Sequence, residues 1–138
     1  MALRPETRAR ARALQLLYAW ESDRRPAPER LLVRLDRLVG KDPEVRRYAT
    51  ALFRGAVSEW EKLDALIAPA SAHWRLDRLA LVDRIILRLA VYELVHRLVP
   101  PRVAIDEALW LAHRFGGAQT PGFVNGVLDQ VARSLGQL

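Results

Sequence analysis

Residues 79–95 set the terms for the rest of the chain. Leu79, Leu81, Val82, Ile85, Ile86, Leu87, Leu89, Ala90, Val91, Leu94 and Val95 leave almost no polar face on a helix. A helix that is apolar nearly all round must be covered on several sides. Asp83, Arg84 and Arg88 interrupt the run, so it does not read as a membrane span. The pattern predicts a helix over 78–97 in the middle of a helical bundle, with Asp77 as its cap and Glu93 paired to an arginine.

The flanking sequence supplies the covering helices. Over 5–22, Ala9, Ala13, Leu16, Leu17 and Trp20 form one apolar face, with Leu14 and Tyr18 on its flank. Pro26 and Pro28 forbid continuation, and a second helix is expected over 29–39 on Leu31, Leu32, Leu35 and Leu38, ended by Gly40. Asp42-Pro43-Glu44 is a start signal of cap, proline and acid. It predicts a third helix over 43–67, closed by Pro69, with Gly55 at a close crossing or slight bend. A junction over 71–77 holds His73 and Trp74. Pro100-Pro101 breaks the chain before a helix over 102–115, and Gly116-Gly117 ends that one. In the last helix Thr120 is the expected N-cap and Pro121 the first helical residue, with Val124, Val127, Leu128, Val131 and Leu135 inward. No stretch alternates as a strand does. The chain is expected to be all-α, a single domain over 1–138.

The charge balance asks for a second explanation. The formal net charge is +6, and of 22 basic residues all but Lys41 and Lys62 are arginine. Codon usage in a GC-rich genome explains arginine in bulk; recognition of phosphate explains arginine in particular places. Arg4, Arg8 and Arg12 stand four apart on one face of the first helix, with Arg10 one step round. Like charges at that spacing repel, and a helix N-terminus disfavours cations, so the cluster argues for an anionic ligand against a merely solvated face.

The last helix carries a second anomaly. Gly126 costs roughly 1 kcal/mol against alanine in a helix interior, so a close approach of a ligand or of a neighbouring helix is expected there. Phe123 and Asn125 stand beside it, off the apolar stripe. Catalytic signals are missing. There is no cysteine; His73, His96 and His113 share no ligand spacing; and Gly116-Gly117 lacks the context of a phosphate loop. Neither a metal nor another cofactor is expected, and no secretory leader is legible.

Several blocks now resemble one family. Arg8-Ala9-Arg10 followed by 13–20 is similar to the opening helix of the transcription antitermination factor family NusB. Residues 86–94 resemble its central helix, and 103–108 with 123–129 its closing pair. The resemblance implies a fold of two packed small helical bundles with six to seven helices. It implies binding of the boxA RNA of nascent ribosomal transcripts, together with a small-subunit ribosomal protein acting as NusE, within the RNA polymerase antitermination complex in the cytoplasm. It implies that Arg8 and Arg10 contact RNA, with Arg4 and Arg12 sharing the charge. Phe123 would stack on a base beside Asn125 and Gly126, and Arg88 would share the groove. Tyr18 and Asp83 would face the ribosomal protein. Some members self-associate, so a homodimer is a further expectation; a membrane is not. Two other readings stand beside this one. One is a protein-interaction adaptor using Trp74 or Trp110. The other is a detached domain of the kind that precedes some RNA cytosine methyltransferases, although the catalytic cysteine of that class is absent.

Overall fold

A computed structural model describes residues 3–35, 37, 41–72 and 79–138. The described residues form six α-helices and no strand: α1 (Pro5–Ser22), α2 (Pro28–Leu32), α3 (Pro43–Ala70), α4 (Leu81–Val95), α5 (Pro101–Phe115) and α6 (Thr120–Ser134). The chain divides into two compact units, Met1–Ser58 and Glu59–Leu138.

In the first unit α1 packs on α2. The predicted face of α1 is its core: Ala9, Ala13, Leu16, Leu17 and Trp20 are buried, and Leu14 joins them. Trp20 also fixes the turn, its Nε1 donating to the Pro26 carbonyl at 3.0 Å. The second helix, expected over 29–39, is interrupted: α2 ends at Leu32, Val33 (76% exposed) and Arg34 form a turn, and Leu35 and Arg37 are helical again, with Leu31 and Leu35 both buried. Leu38, Val39 and Gly40 lie outside the described residues. Asp42 caps α3 as expected, Oδ1 accepting from Glu44 N at 3.0 Å and Val45 N at 3.3 Å.

α3 does not stop before Pro69. The proline sits inside its last turn, where the missing N–H forfeits only a terminal bond. Ser71 ends the helix instead, its N–H and hydroxyl both donating to Ile67 O, at 3.0 and 3.1 Å. Of the junction expected over 71–77, His73 and Trp74, and likewise Asp77 and Arg78, lie outside the described residues.

In the second unit α4, α5 and α6 pack pairwise on one another. Residues 85–91 of α4 are all buried, as the all-round apolar pattern requires. α4 starts three residues later than predicted, at Leu81. It also ends earlier, at Val95, because Arg97 turns left-handed (φ 50). Leu98 N then donates to Glu93 O and Arg97 N to Leu94 O, at 3.1 and 3.2 Å. These two bonds form a Schellman ending with arginine where glycine is usual. α1 closes the same way, with Arg24 left-handed (φ 64), Arg25 N on Trp20 O at 2.7 Å and Arg24 N on Glu21 O at 3.2 Å. Left-handed backbone costs an L-residue roughly 1–2 kcal/mol, partly offset by a cation at the negative helix end. α6 ends in the same motif on Gly136 (φ 73), with Gln137 N on Ala132 O at 2.9 Å.

α5 begins one residue before the expected 102, with Pro101 in its first turn. α6 begins at Thr120, so the N-cap position falls on Gln119 and not on Thr120, and the Gln119 side chain makes no capping bond. The Thr120 hydroxyl is turned to other partners.

Candidate nucleic-acid interface

The basic face of α1 is built in the first unit. Arg4 is exposed at the helix N-terminus, and Arg8 and Arg12 follow at successive turns, half-buried. Arg8 Nη1 lies 3.4 Å from Asp42 Oδ2, so the acid that caps α3 also steadies this arginine. Arg12 Nη1 donates to Gln15 Oε1 at 2.9 Å. Arg10 departs from expectation. It is 2% exposed, and its guanidinium lies 5.5 Å from the centroid of the Tyr48 ring. One step round the helix from Arg8 is the buried side, and there the arginine packs as a cation on an aromatic face. Tyr18, by contrast, is 47% exposed.

The second unit carries the aromatic. Phe123 is half-buried on the first turns of α6, between two hollows. One is a groove of about 380 Å³ lined by Ala70, Gln119, Gly122, Phe123, Gly126, Val127 and Gln130. The other, of about 450 Å³, is lined by residues 79, 80, 82 and 83 and by 117–120 with Phe123. Among the described residues Gly126 meets no neighbouring helix: a Cβ added there, or at Gly122, finds no atom within 4 Å. Packing against a described helix therefore does not explain Gly126, and the glycines leave open floor beside Phe123. Asn125 is exposed and lines neither hollow.

Arg88 does not share this groove. Its side chain is 1% exposed; Nε and Nη2 each donate to a carboxylate oxygen of Asp64 at 2.8 Å, and its guanidinium lies 5.6 Å from the Trp60 ring centroid. On a helix buried nearly all round, an arginine must be paired internally. Asp83 is half-buried and lines the second hollow, where its Oδ1 accepts the Thr120 hydroxyl at 3.0 Å. Glu93 is buried, as its place on α4 demands.

Sequence reading missed Gln119, Gly122 and Gln130. With Phe123 and Gly126 they fall at helical spacing on one stripe, and extending the Gly126 anomaly by one turn each way finds them. Among the described residues no cluster of His, Cys, Asp or Glu could hold a metal. No described helix is long and apolar enough to cross a membrane.

Comparison with known proteins bears on the family and the fold. The NusB family profile matches residues 7–133. A relative from Solibacter usitatus (strain Ellin6076), named transcription antitermination protein NusB, is 42% identical over 93% of this chain and 88% of its own. The solved structure of T. maritima NusB superposes with a TM-score of 0.84 at 33% identity, covering 96% of this chain and 93% of that one. A crystal structure of antitermination factors NusB and NusE in complex with dsRNA gives 0.82 at 29% identity, covering 96% and 99%. By this profile, this identity and this superposition, the chain belongs to the NusB family.

Proposed function

We propose that the chain is an RNA-binding transcription antitermination factor. It binds boxA RNA of nascent ribosomal transcripts together with a small-subunit ribosomal protein acting as NusE, and promotes read-through by RNA polymerase. It works by binding and not by catalysis, in the cytoplasm where transcription takes place. The carrying observation is the α6 groove, a half-buried aromatic next to glycines that leave open floor. Unpaired bases are recognised by stacking on aromatics while polar groups read their edges, which fits Phe123 with the amides of Gln119 and Gln130 in the groove and with Asn125 exposed outside it on the same helix. Close passage over Gly126 is sterically open. Arg4, Arg8 and Arg12 supply the salt-dependent, sequence-independent attraction to phosphate. Tyr18 and Asp83 serve the protein partner. The names of the relatives, and the complex of a family member with NusE and RNA, support the same reading.

The test is a filter-binding titration of boxA RNA with and without the ribosomal protein. Phe123→Ala should weaken binding by about 1–3 kcal/mol while the fold stays intact, since one stacked base is worth that much. An unchanged dissociation constant overturns the assignment of Phe123. Affinity that persists for the ribosomal protein but is absent for RNA would make the chain a protein adaptor.

A further inference from the structure

We infer that Thr120 is a positioning residue for the RNA-facing turn of α6, and that Asp83 is its anchor. The inference rests on the proposed RNA site. Thr120 is 5% exposed, and its hydroxyl is used twice. Oγ1 accepts the N–H of Gly117 at 3.0 Å and donates to Asp83 Oδ1 at 3.0 Å. One hydroxyl thus ties the turn between α5 and α6 to the first turn of α4. The tie has little freedom. Threonine is branched at Cβ and stiff about χ1. Gly116 crowds it: a Cβ at Gly116 would stand 2.6 Å from Thr120 Cβ and Cγ2, so glycine is required there.

What the tie holds in place is the proposed binding surface. Gln119 precedes Thr120, and Phe123 follows it by one turn; both line the α6 groove. The N-cap residue of α6 makes no side-chain capping bond, so the start of this helix lacks the usual device against fraying. The Thr120 hydroxyl takes over that task from the first helical position. With it in place, Phe123 is presented in one orientation before RNA arrives. Without it, RNA must order the turn itself, which lowers affinity.

The experiment measures boxA RNA affinity for the full chain and for Thr120→Val, Thr120→Ser, Asp83→Asn, Asp83→Ala, Phe123→Ala and Thr120→Val/Phe123→Ala. Amide hydrogen exchange is followed at Gly117 and Phe123. Thr120→Val should weaken binding by roughly three- to tenfold, the range expected when one interfacial side chain loses its preorganisation. Exchange at both amides should quicken. Thr120→Ser keeps the hydroxyl and should restore affinity. Asp83→Ala should resemble Thr120→Val, and Asp83→Asn, which keeps an acceptor for the Thr120 hydroxyl, should lose less affinity than Asp83→Ala. On the Phe123→Ala background Thr120→Val should add less than about twofold, because the effect passes through the ring. A full additional loss on that background overturns the positioning role. So does wild-type affinity for Thr120→Val alongside a weakened Phe123→Ala, and so does unchanged exchange at Gly117 and Phe123. A Phe123→Ala variant that binds normally instead overturns the RNA site, leaving the exchange measurement to judge the tie by itself.

Discussion

Arg88 and Asp64 form a fork: Nε meets Oδ1 and Nη2 meets Oδ2, both at 2.8 Å. The arginine is shut away from solvent, while the Asp64 side chain keeps 22% exposure. Breaking a buried pair by removing one partner costs about 3–5 kcal/mol, and the partial hydration of Asp64 points to the lower end. Arg88→Met should therefore lower the urea-unfolding free energy by about 3 kcal/mol. Measured on the folded fraction, the salt dependence of RNA binding should stay as in wild type.

The arginines of α1 should separate into two kinds. Arg8→Ala and Arg12→Ala should each reduce the slope of log affinity against log salt by about 1, as loss of a phosphate contact does. Arg10→Ala should leave that slope unchanged and instead lower stability, since Arg10 is packed over Tyr48. Titrations at several salt concentrations, paired with urea melts, distinguish the two outcomes.

Arg97 offers a gain in stability. It holds a left-handed backbone (φ 50) that glycine adopts without strain. Arg97→Gly should raise unfolding free energy by roughly 0.5–1 kcal/mol, the relief of strain exceeding the extra entropy of the unfolded chain and the lost cation at the helix end. A urea midpoint at or below wild type contradicts this.

Tyr92 should make stability fall at high pH. Burial, and secondarily the negative charge of Glu59, push its phenol above its ordinary value of 10.0. The folded state holds the proton more tightly than the unfolded chain does. Stability is then intact below pH 10.0 and is lost as pH rises through the folded value. The difference in urea midpoint between wild type and Tyr92→Phe, followed from neutral pH to above 10.0, should show a drop that only the wild type undergoes.

Much of the fold was legible because periodicity reports burial. The faces of α1 and α6, and the all-round burial of α4, follow from where Leu, Ile, Val and Ala recur. Helix ends were harder. Glycine normally announces a Schellman ending, and it does so at Gly136; at Arg24 and Arg97 arginine occupies the same backbone, so no residue type gave the signal. Thr120 looked like an N-cap by residue type, yet its hydroxyl is taken by Asp83 and Gly117, a preference that only tertiary contact decides. The site was legible in part. Phe123 and Gly126 were found as anomalies in a helix. Arg10 and Arg88 were misplaced because a positive charge in sequence does not say whether it faces water or a buried partner such as Asp64.

Gly122 and Gly126 sit one turn apart with empty space beside them. Alanine fits both places and favours the helix by up to about 1 kcal/mol each. A redesign scored on thermal resistance alone would fill these two sites early, and would roof over the floor beside Phe123 with methyl groups. The pair marks where robustness and recognition pull in opposite directions, so a thermostable variant meant to keep binding RNA should take its gains elsewhere.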